Sequence, residues 1–359
     1  MTGKVVGSKR RRWLRRLAFF LLGAVGGGAV VGCCSFSAGG HEGPVSNHFD
    51  GDVFLNQEET EHASVGDLLE WRFTRDPEPW VAEDNPPGPA PPAEVAAGKL
   101  RVTFIGHATT LVQLDGVNVL TDPVYSETVS PVGEIGPSRY RRPGIRFEDL
   151  PPIHAVVISH NHYDHLDLPT LKRLEAAHHP RFLVGLGNEQ LLRRAGLTDV
   201  VELDWWEDVR VRNLPIHAVP ARHFSGRGIC DRDKTLWAGW VLRSPAGPVY
   251  FAGDTALGKH FKQIRERFGP PRLAILPIGA YLPRWFMQRV HIDPAEAVEA
   301  HRRLDARQSV AMHFGTFALG DERMEQAPAD LRAAMAAAEI DAGAFWVLGF
   351  GEGRDVSPL

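Results

Sequence analysis

Cysteine and long apolar runs are both scarce in this sequence. Only three of the 359 residues are cysteines, and two of them, Cys33 and Cys34, are adjacent. Three cysteines cannot form a framework of several disulfide bonds, which excludes the small disulfide-stabilised scaffolds. The most prominent apolar run, from Leu17 to Gly32, has about 16 residues, fewer than the roughly 20 that a membrane-spanning helix usually needs.

Basic charge is also scarce outside the first 32 residues. The whole chain has a net charge of -4, but residues 1–32 contain seven basic side chains and no acidic ones. The remaining residues carry 33 basic against 44 acidic side chains, a net charge of -11. A nucleic-acid-binding surface needs clustered lysine and arginine, so we expect no nucleic-acid partner.

The first 32 residues have the pattern of a targeting segment. A basic stretch that ends at Arg16 precedes the apolar run, as in a signal peptide; an uncleaved membrane anchor and a segment with neither role are the alternatives. The run ends in Val30-Val31-Gly32-Cys33, which resembles a bacterial lipobox and implies cleavage before Cys33 and lipidation of that residue. Residues 10–14 resemble a twin-arginine export signal more weakly. We therefore expect a membrane-anchored protein of the bacterial cell envelope, with its body outside the cytoplasm.

Composition divides the rest of the chain into three parts. Residues 33–46 are rich in glycine and serine and are predicted to form a tether. Residues 47–98 carry scattered aromatic side chains and then five prolines between Asn85 and Pro92, which predicts an N-terminal extension and a proline-rich linker. Residues 99–359 are the predicted main domain.

Short apolar runs broken by turns begin at Lys99. Asp115-Gly116 is typical of a β-hairpin turn. Asp293 followed by Pro294 and Glu296 predicts a helix N-terminus, and the helix should run towards Leu304. The other predicted elements are strands Leu100–Ile105, Thr110–Leu114, Val117–Thr121, Ala155–Ser159, Arg181–Gly185, Val249–Ala252, Leu273–Leu276 and Ser309–Met312, and helices Leu168–Ala177 and Leu331–Ile340. Hairpin strands followed by alternating strands and helices predict an α/β protein with stacked sheets flanked by helices.

A histidine-rich motif follows the predicted strand Ala155–Ser159. It reads His160-x-His162-x-Asp164-His165, four potential metal ligands within six residues. Imidazole nitrogen and carboxylate oxygen suit zinc and similar metals, and a turn after the strand can direct the first two histidines at one metal and the last two residues at a second. The alternative is a polar loop that happens to be rich in histidine, but the whole chain has only 16 histidines. We therefore predict a two-metal site.

Six residues cannot complete two metal sites, so we expect further ligands at other strand ends. His223, Asp254 and His313 each follow an apolar stretch. A lone histidine in such a place is more often a hydrogen-bonded surface or core residue, and an aspartate after glycine is usually a turn residue. The three candidates gain weight because they occur together, in order, after the histidine-rich motif.

Longer segments of the sequence also match a known family. They are Phe104–Thr109, Leu120–Pro123, Gly136–Tyr140, Ser159–Asp167, Leu236–Trp240, Leu276–Met287, His291–Pro294 and His313–Phe317, with a weaker match at Asn47–Gly51. These segments resemble the metallo-β-lactamase superfamily, and within it the branch of phospholipases D that hydrolyse N-acylphosphatidylethanolamine. The resemblance implies a four-layer αββα sandwich over residues 99–359. One departure is that Ala256-Leu257 stands where the family commonly has glycine and an aromatic residue, so the wall beside Asp254 is expected to differ in shape.

The resemblance also implies a set of site residues. It assigns His160, His162 and His223 to one zinc ion and Asp164, His165 and His313 to a second, with Asp254 bridging the two. Asp122 would support the ligand loop from behind. His291 would be a polar group of the substrate pocket, and a helix-capping surface histidine is the alternative. The predicted catalytic residues are Asp254, Asp164 and His291.

The function implied by the resemblance is phospholipase D-type hydrolysis of N-acylphosphatidylethanolamine to phosphatidic acid and an N-acylethanolamine. Two close metals lower the pKa of a shared water and supply hydroxide near neutral pH. The expected partners are a phospholipid and a membrane surface, and a homodimer is left open. Two alternatives remain: a lactonase or other esterase on the same fold, and a non-enzymatic, membrane-tethered envelope protein. Structural zinc is usually held by four protein ligands, often cysteines, so the histidine- and aspartate-rich set favours an enzyme.

Overall fold

The structure is a computed structural model that describes residues 37–61, 63–228 and 230–358. The predicted targeting segment 1–32 and Cys33 lie outside the described residues, as do the first residues of the tether. Within the described ranges, no helix is both long enough and apolar enough to cross a bilayer.

Fourteen strands and seven helices make up the secondary structure of the described residues. The strands are β1 (Leu100–Gly106), β2 (Thr109–Leu114), β3 (Val117–Thr121), β4 (Ala155–Val157), β5 (Arg181–Gly185), β6 (Val200–Leu203), β7 (Asp208–Val211), β8 (Leu214–Val219), β9 (Gly239–Ser244), β10 (Gly247–Phe251), β11 (Leu273–Pro277), β12 (Ser309–Met312), β13 (Phe345–Trp346) and β14 (Gly353–Asp355). The α-helices are α1 (Val65–Thr74), α2 (Leu168–His178), α3 (Glu189–Arg194), α4 (His260–Phe268), α5 (Arg284–Met287), α6 (Pro294–Leu304) and α7 (Gln326–Ala337), and a short 3-10 turn covers Phe147–Asp149.

The strands form two seven-stranded mixed sheets. The first has the order β14-β1-β2-β3-β4-β5-β6, antiparallel up to β3 and parallel from β3 to β6. The second has the order β13-β12-β11-β10-β9-β8-β7, antiparallel from β7 to β10 and parallel from β10 to β13. The parallel connections run through α-helices, except that β3 is joined to β4 by a long loop that contains the 3-10 turn.

Side-chain alternation along the strands places the core between the sheets. In β1, Val102 and Phe104 belong to the large cluster shared with the second sheet, whereas Ile105 belongs to a cluster that packs under Leu171 of α2. On the far side of the second sheet, α4, α6 and α7 add residues such as Leu331 to the large cluster. The layers are therefore helices, sheet, sheet and helices, which confirms the predicted αββα sandwich.

Local sequence signals correctly predicted one hairpin turn and one helix N-terminus. Asp115 and Gly116 have φ of 50° and 75° and join β2 to β3 as a two-residue hairpin, because positive φ at both positions suits the twist of the strands. Asp293 caps α6 by accepting from the backbone N–H of Glu296, whose side chain accepts from the backbone N–H of Asp293. Both predictions are confirmed.

Several predicted boundaries differ from the structure, most by one or two residues, and two of the differences have a clear physical basis. The strand expected over Ala155–Ser159 ends at Val157, because the Ser159 N–H donates to a carboxylate oxygen of Asp122 rather than to a neighbouring strand. The helix expected over Leu331–Ile340 is α7, which begins five residues earlier, at Gln326. Pro328 lies in its first turn, where a helix tolerates the missing N–H.

Residues 47–98 pack along the main domain. Phe49 and Phe54 are buried in the large core cluster. Further along, the indole of Trp71 on α1 donates to Asp321 at 2.9 Å, and the indole of Trp80 donates to the Glu322 carbonyl at 2.9 Å. These contacts bring α1 to the rim of the sandwich where the candidate site lies.

Candidate metal centre

Loops that follow five strands meet at one rim of the sandwich, together with the loop before α6. They bring together nine side chains with metal-binding atoms: His107 after β1, His160, His162, Asp164 and His165 after β4, His223 after β8, Asp254 after β10, His313 after β12, and His291 before α6. All seven predicted metal ligands are in this set. They form overlapping groups in which the donor atoms lie within 4.8 Å of one another.

The first group consists of His160, His162 and His223. His160 Nε2 lies 2.7 Å from His162 Nδ1, and His223 Nε2 lies 3.4 Å from the same atom. His160 and His223 are almost completely buried. Three nitrogen donors around one point are the ligand set of an open catalytic metal site, in which a fourth position remains for water or substrate.

The second group joins Asp164, His165 and His313 to Asp254. His165 Nε2 is 3.3 Å from Asp164 Oδ2 and 3.1 Å from Asp254 Oδ2. His313 Nε2 is 3.5 Å from Asp164 Oδ2 and 3.2 Å from Asp254 Oδ2. Atoms that each lie about 2.0–2.2 Å from one metal ion are separated by distances of this size in a tetrahedral site.

Asp254 connects the two groups. Its Oδ2 atom, which faces the second group, is also 3.9 Å from His223 Nε2 of the first. Gly253 directs it there with a φ of 61°, and a Cβ at Gly253 would stand 2.4 Å from the Ser159 Cβ, so only glycine fits. The structure therefore places this carboxylate between the two groups, and its role as a bridge between two ions stays a prediction.

Burial sets the charge state of the first group. Burial lowers the pKa of His160 and His223 well below the usual value, and that of His162 to about 4. These imidazoles are consequently neutral at physiological pH. A neutral imidazole has a free nitrogen lone pair, which is the form that binds a metal ion.

Electrostatics in the second group favour the binding of cations. Burial opposes ionisation of Asp254 and Asp164, but neighbouring histidines, His165 above all, hold the pKa of both carboxyls well below the usual value. Burial also opposes protonation of His313, but Asp254 and Asp164 outweigh it and raise its pKa to about 9. Two ionised carboxylates in a buried pocket therefore demand cations, and a divalent metal ion can replace the histidine protons.

Several buried metal-facing atoms of the site form ion-pair contacts but no hydrogen bond with the described residues. His165 Nε2, His313 Nε2 and Asp254 Oδ1 have no hydrogen-bond partner among the described residues. Buried polar atoms are nearly always hydrogen-bonded, so such a cluster indicates a missing ligand. These residues thus fit divalent metal ions on three counts: donor chemistry, spacing and unsatisfied atoms.

Asp122 supports the ligand loop from behind. It is fully buried and accepts from the Ser159 N–H at 2.7 Å, from the Ser159 hydroxyl at 2.6 Å and from His165 Nδ1 at 2.6 Å. The bond to Nδ1 leaves Nε2 of His165 as the metal-facing nitrogen. The structure places Asp122 in the supporting position that the resemblance implied.

His107 was missed as a member of the site. It is buried, and its Nε2 donates to Asp164 Oδ2 at 2.9 Å, so it orients the carboxylate of a predicted ligand. His107, Asp122 and His313 have φ of 56°, 33° and 64°, a region that costs a non-glycine residue about 1–3 kcal/mol. The signal in the sequence was a histidine directly after a strand, the same signal that identified His223 and His313.

His291 lies beside the metal ligands. Its Nδ1 is 3.9 Å from Asp254 Oδ2, and its ring centroid is 5.2 Å from that of His223. Burial lowers its pKa to about 4, so the ring is neutral. The cap of α6 is Asp293, not His291. The geometry puts His291 at the mouth of the centre, and its catalytic role stays a prediction.

Comparison with known proteins identifies the fold family. A family model described as a Beta-lactamase superfamily domain matches residues 117–314, more than half of the chain. The chain belongs to the metallo-β-lactamase superfamily. All seven predicted metal ligands of this superfamily member lie within the matched range, whereas His107 lies outside it.

The superfamily relatives include enzymes of several kinds. The chain is 40% identical over 268 residues to the N-acyl-phosphatidylethanolamine-hydrolyzing phospholipase D 1 of Caenorhabditis elegans, covering 69% of this chain and 75% of that protein. It is 32% identical over 224 residues to a UPF0173 metal-dependent hydrolase of Methanopyrus kandleri, covering 61% of this chain and 85% of that protein. A metallo hydrolase structure from Ignicoccus hospitalis, 24% identical, covers 72% of this chain and 99% of its own with a TM-score of 0.55, a likeness of fold. This member of the superfamily is a metal-dependent hydrolase.

A residue outside the matched superfamily domain holds one of the ligands in place. The Asn56 side-chain amide donates to the His223 carbonyl at 2.8 Å, and its oxygen accepts from the His223 N–H at 3.1 Å. The same oxygen accepts from the buried indole of Trp237 at 3.1 Å. Asn56 therefore pairs with both backbone groups of a metal ligand, as a neighbouring strand would. Nothing in the local sequence marked this asparagine.

We expect Asn56→Ala to weaken metal binding by about tenfold, the size of effect typical of residues that orient ligands. Loss of its hydrogen bonds should also lower the free energy of unfolding by about 1–3 kcal/mol. Asn85→Ala is the matched control, because Asn85 forms the same pair of bonds with the backbone of Arg142, at 2.9 Å and 2.8 Å. Zinc titration of both variants should show weaker binding only in the first; equal affinities would contradict the assigned role.

Proposed function

We propose that this protein is a zinc-dependent phospholipase D that hydrolyses N-acylphosphatidylethanolamine to phosphatidic acid and an N-acylethanolamine. The observation that carries the proposal is the pair of donor groups joined by Asp254 in a chain 40% identical to a relative named for this reaction. Zinc is favoured because the ligands are histidine and aspartate rather than cysteine, the donor set of open catalytic sites.

The residues of the chain have separate tasks in this proposal. His160, His162 and His223 would hold one ion, and the second group would hold another, with Asp254 shared. When bound, two close ions lower the pKa of water and stabilise charge on the attacking and leaving oxygens of a phosphodiester. Asp122 and His107 keep the ligands oriented.

His291 has the position of a substrate-facing group. Its Nδ1 has no hydrogen-bond partner among the described residues and lies near Asp254, at the mouth of the centre. A neutral imidazole there can donate a hydrogen bond to a phosphoryl oxygen or to the leaving oxygen. We therefore propose Asp254, Asp164 and His291 as the residues closest to the chemistry.

Exposed apolar side chains near the centre support a lipid substrate at a membrane surface. Five large examples are at least 40% exposed: Leu68 and Phe73 of α1, Trp285 of α5, and Val132 and Ile135 of the loop after β3. α1 adjoins the centre because Trp71 stacks on Phe286 at 4.9 Å. Such patches are typical of interaction surfaces. Together with the predicted lipid anchor at Cys33, they support action on an envelope membrane.

The test is an assay of the full chain in detergent micelles, loaded with zinc and mixed with N-acylphosphatidylethanolamine. We expect release of phosphatidic acid and N-acylethanolamine in equal amounts. Chelation should abolish the release, because every proposed step depends on metal-ligating residues, and added zinc should restore it. Mass spectrometry of both products distinguishes this cleavage from deacylation.

Absence of both products from a fully metallated protein would overturn the phospholipid assignment. The same preparation would then be tested against lactones and simple esters, the reactions expected from the same fold. Activity there, lost on chelation, would leave the metal-dependent hydrolase in place and change only its substrate.

A further inference from the structure

A groove of about 350 Å³ lies beside the first group of metal ligands. Its apolar walls are Ala63 and Leu68 at α1, Phe224 after β8, Phe286 of α5, and Val290. Its volume is that of a small-molecule pocket, and such pockets are mostly apolar with a few polar groups that fix orientation.

Direct contacts join the groove to the metal centre. The ring centroid of Phe224 is 4.4 Å from that of His162 and 4.9 Å from that of His223. On the other side, the Val290 carbonyl accepts from His223 Nδ1 at 2.9 Å. An apolar arm attached to a group held at the metals can therefore enter the groove directly.

The charged residues of the groove are matched among themselves. Arg232 lies over the Phe224 ring at 4.7 Å and is 3.4 Å from Asp233, and Arg289 is 3.0 Å from Asp67. Glu61 also lines the groove. The apolar side chains are therefore what the groove offers to a ligand, and an alkyl chain suits them.

A larger pocket of about 560 Å³ fits this ligand less well. It lies on the other side of the histidine-rich loop, and Glu127 and Glu134 line it, with Arg227 as the basic residue. Arg227 is already engaged, because it donates to the carbonyls of Asn161 and Leu166 and stacks on Tyr163. The smaller groove contacts His162 and His223 directly through Phe224, so it is the better acyl-chain site.

We propose that the groove beside Phe224 binds the N-acyl chain of the substrate, an inference that rests on the proposed function. A bilayer phospholipid of this class has three long chains, of which two are joined to glycerol. The two glycerol-linked chains can stay in the membrane, and a single groove beside the metals accommodates the third. Phe73 of α1 and Trp285 of α5, the two helices that contribute to the groove, are exposed and would lie against the membrane surface.

The test fills the groove from α1. Leu68 lines it and Leu69 does not, although the two neighbours are 47% and 49% exposed, so Leu69→Trp is a matched control for Leu68→Trp. We expect Leu68→Trp to lower kcat/KM for the N-palmitoyl substrate by about tenfold or more. The N-acetyl substrate should change less than about twofold, and Leu69→Trp should leave both values within the same range.

A second substrate series identifies the chain. Shortening only the glycerol-linked chains should leave the effect of Leu68→Trp intact, whereas shortening only the N-acyl chain should remove it. An effect that follows the glycerol-linked chains, or one equally large for the N-acetyl substrate, would overturn the proposal.

Direct binding separates this proposal from the reaction itself. Calorimetric titration of the zinc-loaded full chain with N-palmitoylethanolamine should show binding that Leu68→Trp weakens and Leu69→Trp preserves. If the wild-type protein binds this ligand in that way but hydrolyses no phospholipid, the acyl-chain groove stands and the phospholipase assignment fails. If the wild-type protein does not bind it, the groove assignment is overturned.

Discussion

Asp254→Ala is expected to lower kcat/KM by at least about three orders of magnitude and to reduce the bound metal from about two ions per chain to one or fewer. The carboxylate is the side chain common to both donor groups: its Oδ2 lies 3.1 Å from His165 Nε2, 3.2 Å from His313 Nε2 and 3.9 Å from His223 Nε2. Without it, the first group keeps three nitrogens and the second loses one of its two carboxylates.

The fold should survive this change. In the metal-free protein, Asp254 is the strongest factor that raises the pKa of His165 and His313 against the effect of burial. Removing Asp254 lowers both pKa values and favours neutral rings. The negative charge of the carboxylate and the positive charges of the two histidines are therefore lost together. Circular dichroism should therefore match the parent protein, while elemental analysis and kinetics show the losses. A variant that kept two metals and activity within tenfold would contradict the bridging position.

Asp122→Ala is expected to lower the free energy of unfolding by about 3–5 kcal/mol, the effect of removing one partner from a buried ion pair. It should also weaken metal binding by about 10–100-fold. Asp122 is fully buried, and its three hydrogen bonds hold Ser159 and His165. Its loss leaves Nδ1 of His165 with only the Ser159 hydroxyl, 3.5 Å away, as an acceptor and frees the ring to rotate away from the centre.

Asp167→Ala is the control for Asp122→Ala. Asp167 is also a buried carboxylate with several donors, accepting from the Ser126 hydroxyl at 2.8 Å and from the Ser126 N–H at 3.1 Å, but it contacts no metal ligand. Chemical denaturation should show both variants destabilised, whereas metal titration should show a large loss only for Asp122→Ala. Similar metal affinities in the two variants would reduce Asp122 to a structural residue.

The parts of the site that sequence could predict are those encoded locally. His160 to His165 are six consecutive positions after an apolar strand, so their ligand chemistry is visible without a fold. His223, Asp254 and His313 each follow a strand in the structure as they follow an apolar stretch in the sequence. What joined them into one centre was the family resemblance, because strand order cannot be read from apolar patterns alone.

The parts that could not be predicted depend on tertiary contacts. His107 contributes because the first sheet meets the second at this rim, where the His313 N–H donates to the His107 carbonyl at 2.8 Å. The groove requires α1 to pack on α5 through Trp71 and Phe286, two residues 215 positions apart in the chain. Neither pairing leaves a periodic or motif-like signal in the sequence.

The pairing of Asn56 with His223 makes the autonomous folding unit larger than the superfamily domain at residues 117–314. A chain shortened to begin at Lys99 would leave both backbone groups of His223 without this asparagine and the Trp237 indole without one of its acceptors. It would also remove Phe49 and Phe54 from the core. Proteolysis between residues 47 and 60 should thus inactivate the protein, although this segment contains none of the predicted metal ligands. Bound zinc should protect the segment from cleavage.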